Sequence, residues 1–359
     1  MRRRRLIAAG ALALGGCAGS APSGLLHNAP AALDTTLPLR RIAFGSCADQ
    51  KLPQPIWDTV LADKPDLVIF GGDNVYASDP PFSLANLRQA YVAAGAIPAL
   101  QRLRAAVPHY AIWDDHDYGV NDGGMEFPHK HDAKQAFLDY WKAPAGDIRR
   151  SRDGIYDSQV VGPPGQRVQI IGLDTRWFRS PLKLTDERGK PGRERYLPDS
   201  NPAKTLLGEA QWRWLGEQLR QPADLRLIVS GIQVIVDGHG WEHWGNFPLE
   251  RQRLVNLILD TRAGGVVFLS GDRHIGALYR EASAMPYPFY EMTSSGITHP
   301  WKNASEAGPN RLGELFTELH FGSIDIDWPA RSVRLSLKDV AGAERRSQRI
   351  ELAELQPAP

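Results

Sequence analysis

Apolar positions in this chain fall into two kinds of run. Some are unbroken and of strand length: RIAFGSC at 41–47, DLVIFGG at 66–72, HYAIW at 109–113, LRLIVSG at 225–231 and GVVFLSG at 265–271. Between them, apolar residues recur with helical spacing at 55–62, at 84–106 with a break at Pro98, and at 131–141, 208–219 and 249–261. Strand, crossover and strand in succession predict an α/β sheet whose strands are buried on both faces. Two further strands are expected at 154–161 and 166–173, separated by the turn Gly162-Pro163-Pro164-Gly165. The end of the chain changes character. Residues 316–327, 331–338 and 348–352 alternate apolar and polar positions, as antiparallel strands do. One stretch, 179–204, is rich in Gly, Pro and charge and reads as a surface loop able to cover a site. This order suits two sheets built from the halves of one domain, with helices outside, better than two independent domains.

The first residues stand apart from this pattern. Arg2 to Arg5 precede an apolar run at 6–16 that is too short to span a bilayer and has the layout of an export signal. Consecutive arginines before Leu6 also suit a twin-arginine signal, which exports folded proteins. The run ends Leu14-Gly15-Gly16-Cys17, which resembles the bacterial lipobox, so Cys17 is the expected lipidated first residue of the mature protein. Residues 18–38 are small, Pro-containing and aperiodic, as a tether would be. The expected division is a signal peptide at 1–16, a lipid-anchored tether at 17–38, a globular domain at 39–353 and a tail at 354–359.

Composition changes this picture only in places. The chain has 359 residues, 42% of them hydrophobic and 23% charged, which is ordinary for a globular protein. Removing the four N-terminal arginines from the 42 basic residues leaves a small acidic excess over the 41 acidic ones, so nothing suggests a nucleic-acid partner. There are two cysteines. If Cys17 carries lipid, Cys47 has no intrachain partner. It then reads either as a buried structural thiol or, at a strand end in an exported protein, as a metal thiolate.

Polar clusters sit at the ends of four of the apolar runs, where α/β sheets gather ligands. They are Gly45-Ser46-Cys47, Gly71-Gly72-Asp73-Asn74, Trp113-Asp114-Asp115-His116-Asp117 and Ser270-Gly271-Asp272-Arg273-His274. A single Asp after glycines is usually a turn residue. Three carboxylates crowded around His116 are harder to place without a cation. On an extended segment Asp272 and His274 would share a face and reach one or two ions together. Cys and His favour transition metals and carboxylates favour hard ions, so a mixed site is implied in which at least one ion is not calcium. There is no GxSxG, no GxxxxGK[ST], no HExxH and no complete GxGxxG.

In order and spacing these clusters, with Tyr76 and the strand end Asp174-Thr175-Arg176, resemble the alkaline phosphatase D (PhoD-like) branch of the metallophosphoesterases over roughly residues 41–328. The resemblance implies a four-layer α/β/β/α sandwich with mixed sheets and C-terminal antiparallel strands. It implies that Asp73 bridges two ions and that Asn74, Asp115, Asp272 and His274 contribute to the metal site. His116 is implied to lie over the scissile phosphate. Cys47 replaces the usual first-strand DxH motif, a change that in this family goes with Fe3+ and Ca2+; spacing alone leaves Zn2+ or Mn2+ open. A tyrosinate ligand is also implied, with Tyr91 as the candidate.

The expected reaction is hydrolysis of phosphate monoesters or diesters by metal-activated water near Asp73, with His116 stabilising the transition state or protonating the leaving oxygen. Arg176 and Arg273 are candidate phosphate contacts, or else structural partners of nearby carboxylates. In HGWEHW, His239 and His243 are expected to line the pocket entrance, and Trp241 and Trp244 to form wall or to pack on an apolar leaving group. The segment 293–296 is read as a strand end without a role. The expected setting is a monomer, lipid-anchored in the cell envelope or periplasm, acting on small phosphate esters or on phospholipid or wall-polymer diesters. Two other readings are a surface lipoprotein of the same fold that binds phosphorylated ligands without catalysis, and a metal-dependent hydrolase of another ester.

Overall fold

The computed structural model describes residues 31–283 and 285–357. The lipidation expected at Cys17 and the signal segment lie outside the described residues. Among the described residues, no helix is long and apolar enough to cross a membrane.

The first half of the chain builds β1 (Arg41–Gly45), α1 (Ile56–Ala62), β2 (Leu67–Gly71), α2 (Leu84–Gly95), α3 (Pro98–Ala106), β3 (His109–Ile112), α4 (Asp115–Tyr118) and α5 (Lys130–Tyr140). β4 (Asp157–Val161) and β5 (Val168–Gly172) follow. The loop at 179–204 contains a short ladder, β6 (Lys183–Leu184) with β7 (Tyr196–Leu197). Then come α6 (Gly208–Leu219), β8 (Leu225–Ser230), α7 (Pro248–Asp260), β9 (Val266–Ser270), β10 (Gly276–Glu281) and β11 (Phe289–Ser294). The chain closes with β12 (His320–Asp327), β13 (Ser332–Asp339) and β14 (Glu344–Glu351).

Two six-stranded mixed sheets result, in the orders β14-β13-β12-β1-β2-β3 and β10-β11-β9-β8-β5-β4. The continuous apolar runs become parallel strands, since helices cover them: β1, β2 and β3 in one sheet, β8 and β9 in the other, where β5 and β11 join them in parallel. The alternating C-terminal strands return antiparallel, β12 pairing with β1 at Ile324↔Ile42. The sheets face each other, and the contact is close enough that a Cβ on Gly322 of β12 would meet Met292 Cε of β11 at 2.6 Å. α1 packs on α3 and α2 on α5 outside the first sheet. α6 is pinned to the second, where Gln169 of β5 donates to the Gln218 carbonyl. This is an α/β/β/α sandwich.

Packing against the domain continues on both sides of 39–353. Thr35 accepts from the Gly162 N–H, Leu355 is fully buried, and the Leu355 carbonyl accepts from Gly265 at 2.6 Å. The end of the expected tether and most of the expected tail therefore belong to the domain: apolar side chains at both ends find a place on its core.

Candidate metal and active site

Strand ends from both sheets meet at one edge, and glycine makes the approach close enough. A Cβ on Gly271, after β9, would meet Ser46 Oγ at 2.6 Å, after β1. Gly72 has φ +102°, and a Cβ there would meet Asp114 Cβ at 2.6 Å. The side chains that follow are turned inward by an unusual backbone. Cys47, Asp73, Asp272 and His274 all have φ between 50° and 67°, the left-handed region that costs non-glycine residues energy and collects at functional sites. The segment 271–275 is therefore not extended, and Asp272 and His274 point to different neighbours.

Three donor sets result. Cys47, Asp73 and His274 bring ligand atoms within 4.8 Å of one another; so do Asp73, Asp115 and His116, and so do Asp114, Asp115 and Asp272. Asp73 belongs to the first two sets and Asp115 to the last two, so the sets form one continuous array. Cys47 Sγ lies 3.5 Å from Asp73 Oδ2. The backbone N–H of His116 donates to Asp73 Oδ1 at 3.1 Å, and the Asp122 N–H donates to Asp115 Oδ2 at 2.7 Å. Asp115 Oδ1 and Asp114 Oδ2 are buried without a hydrogen-bond partner.

The electrostatics are those of a site missing positive charge. Burial, then the charges of Asp115, Asp114, Asp117 and Asp272, push the Asp73 carboxyl well up. Burial, then Asp114 and Asp115, do the same to Asp272, and burial with Asp73 raises the Cys47 thiol. Asp114 is pushed up by burial to about 8 and Asp117 to about 7. Burial would raise Asp115 too, but His116, Arg176 and the Asp122 N–H together hold it below the usual carboxylate range. His274 is pushed down to about 3 by burial, His299, His116 and Arg273, which keeps it a neutral imidazole able to offer a lone pair. Orphaned carboxylate oxygens, a buried thiol and a neutral imidazole in overlapping sets fit bound cations.

A family model described as PhoD-like phosphatase matches residues 42–318, well over half of the chain. The chain belongs to the PhoD-like phosphatase family. Alkaline phosphatase D of Bacillus subtilis (strain 168) is 24% identical over 290 residues, covering 70% of this chain and 48% of the relative, so the chain spans about half the length of that curated relative. Among solved structures, that of PhoD superposes with a TM-score of 0.71 at 18% identity, over 92% of this chain and 73% of the other. Purple acid phosphatase PPD1 from yellow lupin gives 0.56 at 12% identity, over 88% and 54%. These two likenesses establish the metallophosphoesterase-like fold.

Within this PhoD-like site, the structure gathers Cys47, Asp73, Asp115, His116, Asp272 and His274. Asn74 lies beside them, its amide donating to the Ile112 carbonyl and to Asp117, so only its carbonyl oxygen is left to face an ion. Two expectations are corrected. Tyr91 is buried on α2, stacked on Tyr140 at 4.6 Å, with a hydroxyl that has no partner. Tyr76 occupies the site instead, its hydroxyl 3.1 Å from His274 Nε2 and 3.4 Å from Asp73 Oδ2. A tyrosine three residues after Asp73 is carried inward by the same turn, whereas α2 aims Tyr91 at its own helix partners.

Arg176 is the second correction. Its side chain is wholly buried, with Nε 2.6 Å from Asp114 Oδ1 and Nη1 2.7 Å from Glu242 Oε2, and it does not line the cavity of about 380 Å³ over the site. It holds Asp114 from beneath. The cations that do line the cavity are Arg273 and Arg195. Arg195 comes from the loop at 179–204, which is anchored to the Trp241 loop through Gly240, and it pairs with Asp122 at 2.6 Å. Of the HGWEHW residues only Trp241 and Glu242 reach the cavity; His239, His243 and Trp244 are buried behind it, and Trp244 donates to Ser230 Oγ.

The segment 297–301 was missed by sequence reasoning. Thr298 donates to the Cys47 carbonyl at 2.8 Å, and the Trp301 N–H donates to the His274 carbonyl at 2.6 Å. His299 is thereby wedged edge-on against His274 and Tyr76, at 4.2 and 4.8 Å. A threonine hydroxyl and a backbone N–H place these residues by bonding distant main-chain carbonyls, and they leave no spacing motif.

Proposed function

We propose that this chain is an exported phosphate-ester hydrolase that works with bound cations, and that the continuous array sharing Asp73 and Asp115 is its catalytic centre. That array carries the reading, because adjacent cations need carboxylates that can serve two sites at once. The thiol-containing set of Cys47, Asp73 and His274, with Tyr76 beside it, suits a transition metal, and Fe3+ is the first choice; the all-oxygen set of Asp114, Asp115 and Asp272 suits Ca2+. Zn2+ or Mn2+ would suit the first set as well.

Bound there, the cations would neutralise phosphoryl oxygens and lower the pKa of water. The protein's own part is orientation and proton handling. Ser78 Oγ, 2.5 Å from His116 Nδ1, fixes the ring through that nitrogen. His116 Nε2 then lies toward the cluster, 4.0 Å from Asp115 Oδ1, where a proton it holds can pass to the leaving oxygen. Arg176 keeps Asp114 in place without touching substrate, and Arg195 and Arg273 flank the entering ester.

Export through the Arg2 to Arg5 segment and lipidation at Cys17 would set a monomeric enzyme at a membrane surface, where phosphate monoesters and phospholipid or wall-polymer diesters are the available substrates. The test is to purify residues 18–359, measure bound metals by elemental analysis, and assay monoester and diester substrates with wild type, Asp73→Asn and His116→Ala. Two or more ions per chain, and a loss of about 100-fold or more in either variant, are expected. A metal-free protein, or activity indifferent to both changes, sinks the proposal. Mass spectrometry of the membrane-extracted chain tests acylation of Cys17 separately.

A further inference from the structure

Ten tryptophans occur in the chain, and Trp301 is the only one that is exposed, at 41%. It stands at the mouth of the cavity that opens onto Asp115, His116, Asp272 and His274. An isolated exposed apolar side chain needs no explanation. This one is held from three directions. Its backbone N–H is bonded to the carbonyl of His274, its ring meets Trp241 edge-on at 5.4 Å and 84°, and the Arg273 guanidinium lies 5.9 Å from its centroid.

Trp241 is itself braced. Arg273 and Arg195 lie over its ring at 4.9 and 5.2 Å, and each guanidinium is tied to a carboxylate, Arg273 to Glu306 at 2.7 Å and Arg195 to Asp122. Neither arginine therefore carries a free charge for a second phosphate. What the wall offers is a rigid aromatic face and a donor: Arg273 Nε, buried in the cavity wall, has no partner. A flat, pre-organised indole beside the reacting centre binds a flat group, because stacking gains most when the platform loses no freedom.

The geometry points to Trp301 as a stacking platform for the leaving group, and to phosphate esters whose leaving group carries a planar aromatic ring, of nucleoside or aryl type, as the preferred substrates. This rests on the phosphoesterase reading above. The cavity, about 380 Å³, is within the usual range for small organic ligands. Trp301 is a specificity residue here: it touches the departing group and leaves the reacting atoms alone.

The matched pair adenosine 5′-monophosphate and ribose 5-phosphate isolates the ring, since both carry the phosphate on the primary 5-hydroxyl of a ribose and only the first carries a base. Trp301→Ala is expected to lower kcat/KM for the adenosine ester roughly tenfold, mainly through KM, to change that for ribose 5-phosphate by less than about twofold, and to be largely rescued by Trp301→Phe. Equal losses on both esters, or no loss on the adenosine ester, would overturn the assignment. Hydrolysis of neither ester by wild type would count against the phosphoesterase reading, and the platform would then be judged by binding. Quenching of indole fluorescence by adenosine 5′-monophosphate, absent with ribose 5-phosphate and lost in Trp301→Ala, supports it; quenching that survives the substitution, or none at all, refutes it.

Discussion

Replacing Arg176 with Met separates its two readings, as phosphate contact and as buried brace. The guanidinium and its partners Asp114 and Glu242 expose no more than 1% of any side chain. Removing a partner from such a pair leaves a carboxylate stranded in a poorly solvating interior, at a cost of about 3–5 kcal/mol. Glu242 keeps Arg179, 3.0 Å away, so the loss falls on Asp114. Burial raises the Asp114 carboxyl even against the pull of Arg176, and without the guanidinium it is held neutral over a wider pH range, which limits the cost. We expect a loss near the low end, about 3 kcal/mol, or roughly 4–5 °C in Tm for a domain of this size. Urea unfolding followed by tryptophan fluorescence gives the first number and a thermal scan the second. Asp114→Asn in the Arg176→Met background should recover part of the loss, because an amide is neutral without taking up a proton on folding. If Arg176→Met stays within about 0.5 kcal/mol of wild type while hydrolysis collapses, the brace is refuted and Arg176 acts on the phosphate.

Three further outcomes follow from the same structure. Gly72→Ala should cost about 2–4 kcal/mol in urea unfolding, since its Cβ would sit 2.6 Å from Asp114 Cβ on a backbone with φ +102°. Tyr76→Phe should weaken retention of metal during dialysis against a chelator, whereas Tyr91→Phe should leave metal unchanged and stability equal or slightly higher, because it removes a buried hydroxyl that has no partner. His320 is pushed down by burial from its ordinary 6.5 to about 4, so it is neutral when folded and protonates more readily when unfolded. Its contribution is complete above pH 6.5 and is lost as the pH falls toward 4, by roughly 2–4 kcal/mol; unfolding measured across that range should flatten in His320→Gln.

What was legible in the sequence was whatever depends on local pattern. An apolar run of strand length is buried wherever it lies, and β1, β2, β3, β8 and β9 were recognisable for that reason. Carboxylates and a thiol straight after such runs had to meet at the sheet edge. β10 was not seen, and of β11 only its end at 293–296 was read, because their pattern is neither alternating nor apolar throughout. Glu291 of β11 is fully buried and accepts the N–H groups of Val234 and Ile235 at 2.9 and 2.7 Å, so a charged residue occupies an interior position. α4 is only four residues long, too short for a helical period to show. The partners of Arg176 could not be read either: Asp114 and Glu242 are 62 and 66 residues away, and an arginine at a strand end looks the same whether it meets phosphate or carboxylate. Trp301 enters through a backbone bond, which any sequence can make, and His299 through the hydroxyl of Thr298, whose partner Cys47 is 251 residues away.

β1 pairs with β12, so the strand that begins the domain is completed only by a partner far along the chain, Arg41 meeting Asp325 and Ile42 meeting Ile324, 284 and 282 residues on. Cys47 and Asp73 emerge early in synthesis, while Asp272, His274 and the strand that secures β1 arrive last. Loop closure over such a span is slow, and the donor array stays incomplete until it happens. A nascent chain thus exposes a thiol and several carboxylates without the pocket that selects among ions. If cations fill the array, their identity would be set by the ions present where folding ended.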